Sequence, residues 1–345
     1  MDEHGVQVAE TTVRDHVRKR RRELGLTVGE VFVPQIHAPA RTAEVDWGEA
    51  DVDLAGARTR VHLFHMRSRF SGAAFTMASP VETQQAFLEG HTLAFDWFGG
   101  VFAGVRYDNL GSAVKKVLRG RRRVETDRFI AMRSHYLFDS IFTTPGIEGA
   151  HEKGGVEGEV GRFRRNHLVP VPAVGSIGQL NLLLAEASES DLARRIAGRP
   201  TTVAEQLAAE RPLLRVVAAP FDAIETTTVR VDAKSLVTVR QNRYSVPVAL
   251  AGLRVSVAIG ATEIRVWHRD RQVASDERLH GKHGTRATLD HYLELLVRKP
   301  GALARSLPLA QERDRGDWPG TFDELWAALR AKWGESEAAY RWSTC

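Results

Sequence analysis

The apolar and polar residues in the first half of the chain follow two periods, and these periods predict a mixed α/β region. Strand-like runs lie at residues 43–54, 58–67 and 71–78, and an apolar helix follows at about 82–98. The pattern then predicts a strand over 101–107, a helix around 114–118, a helix over 127–136, a strand over 136–142, and helices over 151–167 and 176–195. Three successive strands followed by alternating helices and strands indicate a mixed sheet covered by helices.

In the second half of the chain, apolar and polar residues alternate with period two between Thr226 and about Leu279. Five or six short strands with tight turns predict a small β-barrel there. A short helix near 202–210 precedes it. The tail after His280 shows helical periodicity at 289–298 and 321–333 and is otherwise polar, so we expect much of the tail to be flexible.

The N-terminal residues predict a short basic helix over 9–24. One edge of this helix is apolar, and its other faces carry the basic residues Arg14, Arg18, Lys19, Arg20, Arg21 and Arg22. Such a helix either enters a DNA groove or is a solvated helix or linker. Only about eight residues precede it, whereas a complete helix-turn-helix needs partner helices upstream, so we expect a truncated module. Residues 25–40 predict an extended linker.

Composition narrows the class of protein. The net charge is +5 with an isoelectric point near 9.5, and about 40 of the 48 basic residues are arginine, which binds phosphate in bidentate fashion. This favours a nucleic-acid partner, although a GC-rich genome would also give many arginines. No apolar run is long enough to span a membrane. The single cysteine, Cys345, excludes an internal disulfide and fits a reducing cytoplasm.

Three acids stand at positions suited to a metal site. Asp46 lies inside the first strand, where a buried carboxylate is costly unless something pairs with it. Asp108 follows the strand over 101–107, at the kind of strand end where open sheets bind ligands. Glu157 lies on the helix over 151–167. Because Mg²⁺ prefers carboxylate oxygens, the three acids together predict a divalent-metal site.

Each acid also has an ordinary structural explanation. Asp108 with Asn109 is a common turn signal after a strand, and solvent could surround Glu157 as readily as the neighbouring acids. The helix that carries Glu157 contains four glycines, each of which disfavours a helix by about 1 kcal/mol. They are Gly154, Gly155, Gly158 and Gly161. A helix of this composition suits a place where a bulky partner, such as a DNA backbone, approaches closely.

Three segments resemble the catalytic segments of the transposase and retroviral integrase superfamily. They read VDWGEADV, VRYDNLGSAV and HEKGGVEGEVGRFRRN, and the family's catalytic, metal-binding acids fall on Asp46, Asp108 and Glu157. The likeness to IstA-type transposases of bacterial insertion sequences extends from Thr12 to about Gly301. It includes VFVP before the first strand, NRYSVP in the predicted barrel and HYLELLVRKPGAL after it.

The resemblance implies a DNA transposase with a ribonuclease H-like core. It implies two Mg²⁺ ions, with Mn²⁺ as a substitute, and cleavage of the element ends followed by joining of the 3′-hydroxyl to target DNA. The implied partners are DNA, an AAA+ ATPase helper of the IstB type, and further copies of the chain in a dimer or tetramer. The implied location is the bacterial cytoplasm, at the nucleoid. Two alternatives stay open: a structure-specific nuclease on the same fold, and a non-catalytic DNA-binding remnant.

Further basic residues are candidates for DNA contact. Lys153, Arg164 and Arg165 flank Glu157, and Arg240 and Arg243 stand at a strand junction of the predicted barrel. For Arg240 and Arg243 the alternative is an ordinary polar hairpin, and for the basic loop over 119–123 it is plain solvation. The neighbouring Tyr244 either belongs to the DNA-facing surface or lies in the core of the barrel.

These observations predict an α/β protein of five parts. They are a truncated helix-turn-helix remnant and linker (1–40), a ribonuclease H-like integrase core (41–170), a helical connector (171–225), a small DNA-binding β-barrel (226–281) and a partly helical, basic tail (282–345).

Overall fold

The computed structural model describes residues 10–25, 36–107, 114–117, 123–142, 156–299, 302, 305–316 and 318–344. The chain divides into two compact units, Met1–Ile36 and His37–Cys345. In the first unit, helix α1 (Glu10–Glu23) confirms the predicted basic helix. An exposed ion pair joins Arg20 to Glu23 within it at 2.9 Å.

The second unit begins with the predicted mixed α/β region. Its elements are β1 (Thr42–Leu54), β2 (Ala57–Ser68), β3 (Ala74–Ser79), α2 (Gln84–Phe98), β4 (Gly104–Tyr107), β5 (Val114–Val117), β6 (Arg123–Glu125), α3 (Asp127–Tyr136), β7 (Asp139–Phe142), α4 (Val156–His167), β8 (Ala173–Val174), α5 (Ile177–Asp191) and α6 (Val203–Glu210). The main sheet has the order β3-β2-β1-β4-β7, and β8 also pairs with β1. β1, β2 and β3 are antiparallel neighbours, whereas β4 and β7 run parallel to β1. This order and these directions are those of the ribonuclease H-like fold, which confirms the predicted fold class.

Both faces of the main sheet are covered. Helices α2 and α3 pack on one face through an aromatic core that contains Phe64, Phe87, Tyr107 and Phe129. On the other face, α4 and α5 cover alternate residues of β1 and β2, including Ala50 and Leu63. Since successive side chains of a strand point to opposite faces, odd-numbered residues of β1 face α2 and even-numbered ones face α4.

Local sequence signals explain where the helices of this region begin and end. Thr83 caps the start of α2 by accepting a hydrogen bond from Ala86, and Gly99 ends the helix in the left-handed conformation with φ of 79°. Thr126 caps α3 in the same way as Thr83 caps α2. Ser176 caps α5, and Thr202 and Glu205 form a capping box at α6.

The prediction of a helix around 114–118 is wrong. Val114–Val117 is a strand, and it pairs antiparallel with Arg123–Glu125. The two valines lie three residues apart, which matches a helical period, but four residues are too few to separate a helix from a strand by period alone. The pairing of β5 with β6 decides the outcome.

The connector packs on the first core. Val203, Leu207 and Leu214 lie in the same apolar cluster as the residues of α2 and α3. The carboxylate of Glu210 is fully buried, where it accepts hydrogen bonds from the Ala40 amide at 2.8 Å and from the Ser68 hydroxyl at 2.7 and 2.9 Å. These bonds satisfy a charge that would be costly to bury alone, and they tie α6 to the start of β1.

The predicted small barrel consists of two sheets around one core. Its strands are β9 (Glu225–Arg230), β10 (Leu236–Val239), β11 (Asn242–Ser245), β12 (Arg254–Ile259), β13 (Glu263–His268), β14 (Arg271–Glu277) and β15 (Thr285–Arg286). One sheet has the order β14-β13-β12-β9 and the other has the order β10-β11-β15. Val237, Tyr244, Val257 and Val266 share the core between them. Tyr244 therefore belongs to the core, which was one of its two expected positions.

The tail contains more helix than the periodicity predicts. Helices α7 (Leu293–Arg298) and α9 (Gly320–Thr344) correspond to the two predicted segments, and α8 (Leu307–Arg315) was not predicted. Ser306 and Pro308 begin α8 and Gly316 ends it, so its signal was in the caps rather than in an apolar stripe. Among the described residues, no helix is long and apolar enough to cross a membrane.

Candidate active site

Asp46 lies at the centre of the face of the sheet that α4 covers. It shares the even-numbered face of β1 with Glu44, Gly48 and Ala50. The side chain is half-buried, and its Oδ1 accepts a hydrogen bond from the Trp47 amide at 2.9 Å. Trp47 points the other way, where its ring packs edge-on against Phe64. The sheet thus presents the Asp46 carboxylate to α4 and turns its large neighbour into the aromatic core.

Two rows of polar residues cross the sheet at this place. In the first row, Arg67 of β2 and Arg106 of β4 stand directly opposite Glu44 on either side of β1. Glu44 is nearly fully buried and also pairs with Arg69 at 3.1 Å. These arginines supply the positive charge that a buried carboxylate requires.

In the second row, His65 stands opposite Asp46. His65 is fully buried, its Nδ1 lies 2.8 Å from the Thr76 hydroxyl, and burial lowers its pKa to about 4. The imidazole beside Asp46 is therefore neutral at pH 7. His62, three residues earlier, lies on the opposite face and reaches Glu82 at 3.0 Å.

The end of β4 is held from behind by a buried pair. Tyr107 is the last residue of β4 and pairs in register with Val45. Its hydroxyl lies 2.9 Å from Nε2 of His91, whose Nδ1 lies 2.7 Å from the Phe87 carbonyl oxygen. Since a carbonyl oxygen can only accept, Nδ1 of His91 carries the proton and Nε2 accepts from Tyr107. Burial lowers the pKa of His91 to about 3, which keeps this arrangement neutral. Asp108, the next residue along the chain, lies outside the described residues.

Helix α4 approaches β1 so closely that a glycine is required. A Cβ atom on Gly48 would lie 2.2 Å from Cγ1 of Val160. One turn further along the helix, the Phe163 ring lies 5.8 Å from the His65 ring. Val160 and Phe163 are both buried against the sheet. Glu157 lies in the first turn of α4, but its side chain is outside the described residues, as is the whole of Lys153.

A network of ion pairs joins α4 to the end of α5. Arg162 binds Asp191 through two bonds of 2.8 and 2.7 Å and binds Glu159 at 2.9 Å. Arg194 binds both acids as well, at 2.8 and 3.3 Å. Burial alone would raise the pKa of Asp191, but the bonds and charges from Arg162 and Arg194 outweigh burial and lower the pKa to about 2. Both acids are therefore ionised throughout the physiological range.

Of the three predicted metal ligands, only Asp46 has a described side chain. Carboxylate oxygens are the ligands that Mg²⁺ takes in proteins, and the one predicted ligand whose side chain is described, Asp46, presents such oxygens on the covered face. Among the described residues, no group of three histidine, cysteine, aspartate or glutamate side chains could hold a metal ion. Asp108 and the Glu157 side chain lie outside that set, so the predicted three-acid site stays a prediction.

The predicted DNA-contacting arginines lie in two places. Arg164 and Arg165 are exposed on α4, and together with Arg60 they line a cavity of about 340 Å³ beside β1. Arg164 also donates to the Glu49 carbonyl at 2.8 Å. In the second place, Arg240 lies 2.6 Å from both carboxylate oxygens of Glu225. Arg243 is exposed on β11, and no ion pair joins it to a carboxylate in the described parts of the chain.

The sequence analysis missed Gly48, His65 and the Arg162–Asp191 pair. Gly48 follows Asp46 by two residues, so its place on the same face was open to the alternation argument, but nothing in sequence predicts the approach of Val160. His65 lies in an apolar strand, but its place opposite Asp46 depends on the register between β1 and β2. Arg162 and Asp191 lie 29 residues apart on different helices, and a pairing at that separation has no local signal.

The chain is similar in sequence to known transposases. A sequence family described as "Mu transposase, C-terminal domain" matches residues 216–288, which include β9 to β15. A transposase from Aminobacter aminovorans is 33% identical over 301 residues, which cover 86% of this chain and 59% of that protein. The transposase for insertion sequences IS1326/IS1353 from Pseudomonas aeruginosa is 33% identical over 288 residues, which cover 81% of this chain and 56% of that protein. The chain is therefore a homologue of insertion-sequence transposases. This confirms the resemblance drawn from the three motifs.

The homologous region is only part of the relatives' length. The transposase for insertion sequence element IS21 from Pseudomonas aeruginosa is 30% identical over 261 residues, which cover 74% of this chain and 66% of that protein. The chain thus spans less than two thirds of the transposases it matches. Among solved structures, the HTLV-2 integrase catalytic core domain in complex with magnesium is 14% identical and covers 49% of this chain and 97% of that chain, with a TM-score of 0.36.

Proposed function

We propose that this transposase homologue cleaves the ends of an insertion sequence and joins the 3′-hydroxyl to target DNA by two-metal-ion phosphoryl transfer. The observation that carries the proposal is the place of Asp46, on the sheet face that α4 approaches at Gly48. The homologues are transposases by name, which supports the same reaction class.

The order of the strands supports a three-acid site. Val45 pairs with Tyr107, and Asp46 and Asp108 are the residues that follow each of them. Consecutive Cα atoms are about 3.8 Å apart and neighbouring strands are about 4.8 Å apart, so the two acids start from adjacent positions. Val105 and Tyr107 face the aromatic core. We propose that Asp108, the next residue, turns its carboxylate to the side of the sheet that α4 covers.

Helix α4 supports the third position. Val160 contacts β1 at Gly48, two residues beyond Asp46 on the same face. Glu157 precedes Val160 by three residues, and residues three apart lie on the same side of a helix. We therefore assign Asp46, Asp108 and Glu157 as the ligands of two Mg²⁺ ions, with Mn²⁺ as a substitute.

In the proposed reaction, the protein binds DNA and directs its scissile phosphate to the carboxylates. When bound, two Mg²⁺ ions would activate the attacking oxygen and stabilise the leaving oxygen. Asp46 lies inside β1 with strand residues on both sides, so the strand fixes the backbone position from which its carboxylate extends. Neutral His65 beside it adds no competing positive charge.

We assign DNA contact to Lys153, Arg164 and Arg165 around the site and to Arg240 and Arg243 in the small β region. We thus propose that residues 41–170 carry out catalysis and that residues 226–281 bind DNA. Joining two element ends requires at least two active sites, so we propose a dimer or tetramer on DNA, assisted by an AAA+ ATPase of the IstB type.

The test is a strand-transfer assay with a pre-cleaved element end, in Mg²⁺, with and without the ATPase helper. Asp46→Asn removes the charge while keeping the shape, and we expect it to abolish cleavage and joining and to leave DNA affinity largely intact. Asp53→Asn is the matched control, because Asp53 lies on the same strand but pairs with Arg58 at the surface. It should behave as wild type.

The same assay separates the alternatives. Cleavage by the wild type without joined products would favour a structure-specific nuclease. DNA binding by wild type and Asp46→Asn with no cleavage by either would favour a non-catalytic DNA-binding remnant.

A further inference from the structure

The bidentate pair between Arg162 and Asp191 fixes the orientation of α4. The two bonds of 2.8 and 2.7 Å join the two planar groups edge to edge, so the pair tolerates little rotation. Asp191 lies at the last turn of α5, and its side chain is 7% exposed. The pair thus links two helices that lie on the same face of the main sheet.

Arg194 and Glu159 extend the pair into a closed set of alternating charges, here called the α4 clamp (Glu159, Arg162, Asp191 and Arg194). Arg194 donates through Nε to Asp191 and through Nη2 to Glu159. It also donates to the Gly72 carbonyl at 2.8 Å, in the turn between β2 and β3. The clamp therefore ties α4 to α5 and to the edge of the sheet.

The intrinsic stability of α4 is low, so its orientation depends on such contacts. Gly158 and Gly161 each disfavour the helix by about 1 kcal/mol relative to alanine. Apart from its chain neighbours and the backbone of α4, no atom of the described residues lies within 4 Å of the Cβ position of Gly158, so packing against the described part of the chain does not explain that glycine. The apolar anchors Val160 and Phe163 set the distance of α4 from the sheet, and the clamp is the directional contact.

We infer that Arg162, Asp191 and Arg194 are positioning residues that hold the first turn of α4 over Asp46 and thereby raise the affinity of the site for divalent metal. The inference rests on the proposed function in that Glu157, two residues before Glu159, is taken as a metal ligand. The clamp side chains act through the helix and touch neither metal nor DNA.

The decisive variant is Arg162→Lys, which keeps the charge and loses the bidentate geometry. Its matched control is Arg58→Lys, the same change in the exposed pair with Asp53. We would measure Mn²⁺ binding by calorimetry without DNA, the Mg²⁺ concentration that gives half-maximal cleavage, and the melting temperature. Arg162→Lys should weaken Mn²⁺ binding and raise the half-maximal Mg²⁺ concentration by about tenfold, as loss of a partner behind a metal ligand does. The control should change neither.

Saturating metal should restore most of the cleavage rate of Arg162→Lys, because the clamp positions a ligand and takes no part in the reaction. A lower melting temperature with unchanged Mn²⁺ affinity would overturn the inference, since that is the result of a merely structural role. If Arg162→Lys does not fold, Arg194→Lys tests the same point by removing the guanidinium that bridges Asp191, Glu159 and the Gly72 carbonyl. If the variants bind Mn²⁺ more weakly but the wild type never joins strands, the positioning role of the clamp would stand and the transposase function would be refuted.

Discussion

The closest contact between α4 and the sheet predicts the effect of placing one methyl group on β1. In Gly48→Ala the new Cβ would lie 2.2 Å from Cγ1 of Val160, far inside the 3.5–4.0 Å at which carbon atoms pack well. The backbone at Gly48 is ordinary strand, so alanine meets no conformational penalty there. Either α4 moves outward or β1 distorts.

The magnitude follows from two opposing terms. Replacing a glycine by alanine without a clash stabilises a protein by about 0.4–1 kcal/mol through the unfolded chain. Forcing a methyl group into a packed site costs about 1–3 kcal/mol. Gly48→Ala should therefore lower the free energy of unfolding by about 1–2 kcal/mol, measured by urea denaturation.

A double-mutant cycle isolates the contact. Val160→Ala removes two methyl groups from a buried position and should cost about 1.5–3 kcal/mol on its own. It also removes the atom that Gly48→Ala would strike. The double variant should thus be more stable than the sum of the single effects predicts, by about 1–3 kcal/mol.

Gly158→Ala is the matched control on α4. In the described part of the chain, its Cβ position meets no atom within 4 Å other than its chain neighbours and the backbone of α4, so alanine should stabilise the protein by about 0.5–1 kcal/mol, the opposite sign. The reasoning fails if Gly48→Ala is as stable as the wild type or if the double-mutant cycle shows no coupling. Metal-dependent cleavage by Gly48→Ala should fall together with stability and recover in the double variant.

Two other predictions concern buried histidine and exposed arginine. The pKa of His91 is about 3 in the folded protein and 6.5 when free, so the unfolded state binds the extra proton and stability is lost as pH falls from about 6.5 toward 3. Between pH 6 and 4, His91→Gln should reduce the slope of the unfolding free energy against pH by about 1.4 kcal/mol per pH unit, as measured by urea denaturation. An unchanged slope would contradict burial of His91 as the cause of the pH dependence. Arg243→Gln should weaken DNA binding and lower the slope of log affinity against log salt by about 1. Arg240→Gln should weaken DNA binding less and lower that slope less, because Glu225 already neutralises Arg240. If both variants change the salt dependence of DNA binding equally, that distinction between the two arginines is refuted.

The elements of the main sheet were predictable because their apolar pattern is long and regular. The pattern of β1 extends over 13 residues and that of β2 over 12, which is long enough to distinguish a strand from a helix. The bounds of both strands were predicted within a residue or two. The four residues of β5 were not, because a short run fits either period. Strand order came from the family resemblance, since alternation alone does not say which strands are neighbours.

In the candidate site, the only predictable residues were those whose own type and sequence neighbours indicate a chemical role. A carboxylate inside an apolar strand marks Asp46 without any structure. Gly48 and the α4 clamp are visible only when distant segments meet, since each of their contacts crosses between elements. Sequence therefore marks candidate metal-binding residues more readily than the residues that would hold such ligands in position.

The contacts that place α4 differ in what they control. The Gly48–Val160 contact limits how closely the helix approaches β1, but an apolar contact leaves the helix free to turn about its own axis. The Arg162–Asp191 pair restricts that turn because both of its bonds must stay in one plane. Mg²⁺ demands ligands at about 2.0–2.1 Å in nearly octahedral geometry, so a helix at the right distance with the wrong rotation would bind it poorly. Arg162→Lys should therefore lose metal affinity with little loss of stability, whereas Gly48→Ala should lose both.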